Sequence, residues 1–390
     1  MNILIIPTND WERAAGAGHI NEIAEELAQR GHRVYAWNFN LYRQQPIKRP
    51  PRKVKLIFSK TLPFRDPAIF FTFNALFQAP AIFRSIRKNK INVVINENVL
   101  FGLIAFFASG EHVLKVFDFS DYFPESASVY YTASSQATKK LVEATTLAIT
   151  KLNIKFSNIC IAVCQSLIKT TLAIDKTKPC YLITNGVHAT SIIESLKTPV
   201  KNDNPSMVIM GVIDAWLDFQ TPIAALKKLV NQYPNLKLII IGPWLRKELR
   251  QQVENEIKSL KVESSVEITG YISNHQLKQY LQRATCFVMP YNLDMFYSNI
   301  RLPEKLFVYS AYGKPILSTS LPEVAALKTE HVFLYHNEKE FKSIIEEILI
   351  KEKTQLDIKQ KAQKFALEHD FRVLAKQLEA ILTDESRKIW

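Results

Sequence analysis

Short apolar runs recur along the chain, and each is followed by a stretch whose apolar residues return at helical spacing. Asn2–Ile6 is the first run. It leads into the polar, glycine-bearing loop Thr8–His19, and then Ile20, Ile23, Ala24, Leu27 and Ala28 mark one face of a helix. Gly31 closes that helix, and Val34–Trp37 opens the next strand. Further strands are expected at Val93–Ile95, Val113–Phe117, Ile159–Cys164 and Cys180–Ile183, with a long helix across Ser134–Phe156. Lys197–Ser206, K-T-P-V-K-N-D-N-P-S, has a linker's composition. From Met207 the alternation resumes, with strands at Val208–Met210, Leu238–Ile241, Val266–Ile268, Cys286–Met289 and Ile316–Ser318. The closing F-A-L-E-H-D-F-R-V-L-A-K-Q-L-E-A-I-L reads as a pair of amphipathic helices. Repeated strand–helix alternation predicts an α/β protein with two Rossmann-like, doubly wound domains.

Within this frame, Tyr297–Thr319 stands out as loop, helix, stop and strand. Pro303 lies at the helix start, Gly313 ends the helix and Pro315 opens a strand. Arg301 and Lys305 beside that helix start make a site suited to a phosphate-bearing ligand, or else an ordinary solvated helix end. At Asp118–Asp121, D-F-S-D closes a strand, where open α/β sheets collect ligands. One of these carboxylates could orient or deprotonate a hydroxyl, or cap the next turn. His19 is equally readable as a catalytic group or a helix cap. The loop before it, G-A-G-H at Gly16–His19, is not a dinucleotide fingerprint.

P-E-K-L-F-V-Y-S-A-Y-G-K-P resembles the P-x-K-x-x-E-Y-x-A-x-G-K-P segment of GT-B glycosyltransferases similar to glycosyltransferase family 4. Three other stretches point the same way. G-A-G-H-I-N-E-I-A-E-E-L-A-Q-R-G-H-R-V looks like that family's opening, T-N-G-V-H at Thr184–His188 like its P-N-G-V-D, and G-V-I-D-A-W-L-D at Gly211–Asp218 like a G-x-I-x-x-W-x-D of some members. The resemblance implies two domains facing a cleft. The first, 1–196, takes the acceptor, with Gly16 and Gly18 in its acceptor-side loop. A linker, 197–206, leads to a nucleotide-sugar domain, 207–370, and a tail, 371–390, returns to the first domain. It implies a donor pocket drawn from Gly211, Trp216, Ser298, Asn299, Arg301, Glu304 and Lys305, and a catalytic role for Asp118, Asp121 and His19. Two departures stand out. The family's glutamate falls on Val308, so either Glu304 one turn earlier substitutes for it or the ribose contact is lost. The Arg and Lys that many relatives carry after the first glycine are missing, which leaves neutralisation to Arg301 and Lys305, with Arg246 or Lys247 as helpers.

Charge adds a partner. Between Gln29 and Lys90 there are fourteen Lys and Arg against Asp66 alone, equal to the whole net charge of +13. Interleaved with Phe and Pro, this block suits an anionic membrane surface and a lipid-linked acceptor better than nucleic acid, for which no motif is present. A helix packed on the sheet with solvated ends is the plainer reading. The apolar stretches Ala68–Phe83 and Val99–Ser109 read as too short to span a bilayer. Cys160, Cys164, Cys180 and Cys286 lack metal-ligand spacing and read as buried thiols of a reducing compartment. The opening M-N-I-L-I-I-P reads as a buried strand rather than a secretion signal. A cytoplasmic protein, peripheral at the inner face of the membrane, is the expectation.

No D-x-D occurs, so the reading assigns no metal and no cofactor beyond a nucleotide diphosphate sugar as co-substrate. The expected activity is sugar transfer from that donor to a glycan or lipid-linked acceptor in polysaccharide or glycoconjugate assembly. Retention of configuration is implied by the resemblance alone. A non-catalytic binding subunit and a sugar-nucleotide epimerase of the same fold stay open.

Overall fold

The computed structural model describes residues 1–8, 11, 19–39, 53–64, 66–97, 99–124, 136–196, 204–295, 299–350 and 355–389. The chain divides into two compact units, Met1–Thr184 with Phe371–Trp390, and Asn185–Asp370.

The first unit runs β1 (Asn2–Ile6), α1 (His19–Gln29), β2 (Arg33–Asn38), β3 (Lys55–Phe58), α2 (Pro67–Lys88), β4 (Val93–Asn96), α3 (Phe101–Ala108) and β5 (Leu114–Phe119). It continues with α4 (Gln136–Phe156), β6 (Ile159–Ala162), α5 (Gln165–Ile174) and β7 (Cys180–Leu182). Its sheet has the order β3-β2-β1-β4-β5-β6-β7 and is parallel throughout. Strands covered on both faces need continuous apolar runs, which is why Ile3–Ile6, Val93–Ile95 and Ile159–Ala162 are wholly buried. Ile20, Ile23, Ala24 and Leu27 of α1 pack on this sheet beside Phe371, Leu374, Ala375, Leu378 and Leu382 of the C-terminal helix. Each of these isoleucine, leucine and phenylalanine side chains contributes about 1.5–3 kcal/mol on leaving water. Glu379 of that helix accepts from Arg30 Nε at 2.6 Å and lies 2.8 Å from His32 Nε2, and Tyr181 Oη donates to Glu385 at 2.6 Å.

The second unit runs α6 (Ala189–Ser195), β8 (Ser206–Met210), α7 (Gln220–Leu229), β9 (Lys237–Ile241), α8 (Lys247–Ser259), β10 (Val266–Gly270), α9 (Asn274–Arg283) and β11 (Cys286–Met289). Then come α10 (Glu304–Ala311), β12 (Ile316–Thr319), α11 (Pro322–Ala326), β13 (Val332–Tyr335), α12 (Glu338–Ile350) and α13 (Gln355–Glu368). The C-terminal helix of the first unit is α14 (Phe371–Arg387). The second sheet, β10-β9-β8-β11-β12-β13, is also parallel throughout.

Several details differ from the sequence reading. Residues 185–196 belong to the second unit rather than the first, because Thr190 donates to Asp370 from its N–H at 3.0 Å and Val187 bridges Asp370. The second sheet has a sixth strand, β13. The basic block holds β3 and the 22-residue helix α2. That helix is long and apolar enough to cross a membrane, contrary to the length expected of it.

Candidate functional site

In each sheet the strand order reverses once, between β1 and β4 in the first and between β8 and β11 in the second. Loops leaving the two strands at such a point diverge and open a crevice at their carboxyl ends. A cluster of functional side chains stands at each one.

In the first unit the cluster is His19, Glu97 and Asp118. His19 opens α1, Glu97 follows β4 and Asp118 lies near the end of β5; all three are buried, at 3%, 4% and 0% exposure. His19 Nε2 is 3.4 Å from Asp118 Oδ2. Thr8, just past β1, donates to Glu97 Oε2 from its N–H at 2.9 Å and its hydroxyl at 3.0 Å. Burial, and then the neighbouring Asp118 charge, push the Glu97 carboxyl up from its ordinary value; His19 and the Thr8 hydrogen bonds oppose this. Neither oxygen of Asp118 accepts a hydrogen bond among the described residues. The three side chains offer ligand atoms within 4.8 Å of one another, a set that could hold a metal ion. They could equally exchange protons among themselves. A buried carboxylate at this distance from an imidazole can orient the ring and stabilise an imidazolium.

Asp121 is not in this group. It is half-buried and accepts from the Tyr122 N–H at 2.9 Å, the turn-capping alternative for that residue. Gly16 and Gly18 lie outside the described residues.

In the second unit the cluster forms around Gly211, which follows β8 with φ +131°, a conformation natural to glycine. A Cβ there would stand 3.0 Å from Lys305 Nζ, so the bare backbone and the ammonium face each other directly. Gly242, at φ +137° after β9, is closed to side chains because a Cβ would fall 1.8 Å from the Gly211 carbonyl oxygen. Tyr309 Oη accepts from the Met210 N–H at 2.8 Å and fixes the residue before Gly211. Asn185 of T-N-G-V-H donates to the Leu302 carbonyl at 3.0 Å and so supports the turn into α10. Lys305 Nζ lies 5.4 Å from the Tyr291 ring centre, and the Arg301 guanidinium lies 5.8 Å from Trp216 and 5.9 Å from Tyr291. Burial pushes the Lys305 ammonium below its ordinary value; Arg301 adds to this, and Tyr291 opposes it.

The structure thus brings Gly211, Trp216, Arg301 and Lys305 together. Glu304 is exposed in the first turn of α10. Asn299 donates to the carbonyls of Leu293 and Met295 at 3.2 and 3.3 Å, which gives it a part in loop structure. Ser298 lies outside the described residues. Arg246 is ion-paired with buried Asp214 at 2.9 Å, and Lys247 is exposed at the start of α8. A cavity of about 500 Å³ adjoins Tyr291, with Asp218, Glu256 and Asp294 in its lining. These carboxylates disfavour a diphosphate there, whereas the Gly211–Lys305–Arg301 side carries positive charge.

Three contributors went unread in the sequence: Glu97, Tyr291 and Thr8. Glu97 ends the run V-V-I-N-E and Tyr291 the run C-F-V-M-P-Y, each just past the carboxyl end of a strand, the argument that singled out D-F-S-D. Thr8 had no comparable signal.

Residues 192–365 match the family model described as Glycosyl transferases group 1. Comparison with curated protein sequences gave no match. Among solved structures, sucrose-phosphate synthase of Thermosynechococcus elongatus superposes with a TM-score of 0.73 at 17% identity, over 98% of each chain. Anabaena HepE, in complex with UDP and glucose, gives 0.66 at 17% identity over 98% of this chain and 99% of its own. An E. coli trehalose-6-phosphate protein bound with UDP-2-fluoro glucose gives 0.67 at 12% identity over 99% of each. Residues 192–365 are therefore similar to a group 1 glycosyltransferase domain, and the chain has the GT-B fold.

Proposed function

We propose that this GT-B glycosyltransferase moves a sugar from a nucleotide diphosphate donor to a lipid-linked or glycan acceptor, in the assembly of a surface polysaccharide or glycoconjugate. The observation that carries the donor half is the approach of Lys305 Nζ to the bare backbone at Gly211, with Arg301 alongside and the start of α10 behind. Two cations and a helix N-terminus offer the charge that a leaving nucleoside diphosphate needs. With that neutralisation in place and no D-x-D in the chain, the proposal includes a diphosphate that leaves without a bridging metal. Retention of anomeric configuration is part of the proposal through the resemblance to family 4. Support for a uridine nucleotide comes from HepE, solved with UDP and glucose, and from the E. coli protein, solved with UDP-2-fluoro glucose. On the acceptor side the proposal rests on His19 as the proton-accepting group and Asp118 as the carboxylate that positions it.

The test is to incubate the purified chain, with and without EDTA, with a panel of nucleotide sugars and a polyprenyl-phosphate-linked sugar. Product anomers are then read by NMR. Transfer that persists in EDTA and yields an α-linked product from an α-linked donor is expected. Nucleotide release with no glycosylated acceptor in any combination would overturn the acceptor half, and no nucleotide binding at all would overturn the donor half.

A further inference from the structure

Helix α2 of the first unit is amphipathic with its polarity reversed. Its inner row, Phe70, Asn74, Gln78, Ile82 and Ile86, is buried, and two of the five are amides. Both amides are held by unit 1 itself. Trp37 Nε1 donates to Gln78 Oε1 at 2.8 Å and Gln78 Nε2 donates to the Lys60 carbonyl at 2.8 Å, while the Leu62 N–H donates to Asn74 Oδ1 at 2.7 Å. Its outer row is apolar. Ile69, Phe73, Leu76, Phe77 and Phe83 are 40–68% exposed, and Phe58 and Phe64, from the chain just before the helix, are exposed with them. The Phe64 and Phe73 rings touch at 5.2 Å between centres, so these side chains form one patch rather than scattered residues. A water-facing patch of this kind is characteristic of a surface with a partner.

Charge identifies the partner. At its C-terminal end the same outer row becomes Arg84, Arg87 and Lys88, all exposed, with the Arg87 guanidinium 4.1 Å from the Phe83 ring centre. The one acid between Gln29 and Lys90, Asp66, caps the helix by accepting from the Ile69 N–H at 3.0 Å. Aromatic and aliphatic side chains flanked by unopposed cations match the interface of a bilayer, where rings enter the acyl boundary and Lys and Arg meet anionic headgroups. Length and composition alone would let α2 cross a membrane. Its inner row is hydrogen-bonded into the unit, however, so the helix is placed to lie in the plane of the membrane with only its outer row immersed.

We propose that the outer row of α2, with Phe58 and Phe64, is the docking surface by which this chain binds an anionic lipid bilayer. This deepens the lipid-linked acceptor reading and gives it a location, peripheral on the cytoplasmic face, but the test below does not depend on sugar transfer.

The full chain is sedimented with phosphatidylcholine vesicles, with and without phosphatidylglycerol, at low and high salt. Binding to the phosphatidylglycerol vesicles that weakens with salt is expected. The double variant Phe73→Ser/Phe77→Ser should lose at least about tenfold in partitioning, since it removes two immersed rings. Arg84→Glu/Arg87→Glu should lose the preference for phosphatidylglycerol. All four positions are exposed, so thermal melting and nucleotide binding should match those of the parent, which separates failure here from failure of the donor reading. Absence of vesicle binding, or undiminished binding by the Phe variant, would overturn the proposal. A concentration-dependent dimer in light scattering that the Phe variant abolishes, with no vesicle binding by the parent, would do so in favour of a second copy of the chain.

Discussion

Where strand order reverses, the first unit gathers an imidazole and two carboxylates, and the second gathers a lysine and an arginine over aromatic rings. The topological position is the same and the chemistry is opposite. In the first unit, buried groups of both charge types stand within reach of one another, an arrangement fitted to moving a proton. In the second, Lys305 faces an open glycine backbone and Arg301 lies near the same aromatic ring, an arrangement that can hold an anion. Both arrangements carry a cost in burial, and it shows in the pKa directions. Glu97 is pushed up and Lys305 is pushed down, so burial opposes the charged form of each.

Separate tasks should fail separately. The largest effect is expected from Asp118→Asn, which keeps the shape but cannot stabilise an imidazolium. Transfer should fall about 100-fold or more, most of it in kcat, with an altered pH profile and unchanged nucleotide affinity. A fall confined to donor KM would break the division of labour. Next comes Gly211→Ala, which strains a φ of +131° and places a methyl 3.0 Å from Lys305 Nζ. Donor affinity should drop about tenfold or more, with the first unit's proton chemistry untouched, as read by single-turnover rates at saturating donor. Lys305 also sets a pH limit. Its ammonium loses its proton below the ordinary lysine value of 10.5, so donor affinity should weaken as pH rises toward that value, whereas Arg301 stays charged.

A separate effect concerns stability rather than turnover. His331, buried in the second unit with Nε2 2.8 Å from Ser310 Oγ, is pushed down to about 4 from 6.5 by burial. Protonation then favours the unfolded chain. The neutral ring's contribution is complete above pH 6.5 and is lost as pH falls toward 4, in total about 3 kcal/mol. Thermal melts of the parent should decline over that interval, and those of His331→Gln should decline less.

Much of this was legible in the chain. Unbroken apolar runs such as Ile3–Ile6 and Ile239–Ile241 can satisfy only a strand buried on both faces, so the two sheets were readable, and Gly211 and Lys305 were readable from motif spacing. The edge strands β3 and β13 were not, since K-L-I-F and V-F-L-Y are too short and too little buried to show a clear period. Helix α2 was hard to read because its outer row is apolar and its buried row includes Asn74 and Gln78, which defeats an inside-apolar rule. Glu97 stayed hidden for a different reason. Its meaning depends on His19 and Asp118, and only the sheet order brings residues so far apart in sequence together.

The most direct test of the central claim is calorimetric titration of a nucleoside diphosphate and its sugar conjugates into the parent chain and Lys305→Ala. Measurable binding by the parent and a loss of about tenfold or more in the variant, with an unchanged circular dichroism spectrum, are expected. Equal affinity in the two proteins would show that the pyrophosphate is held elsewhere.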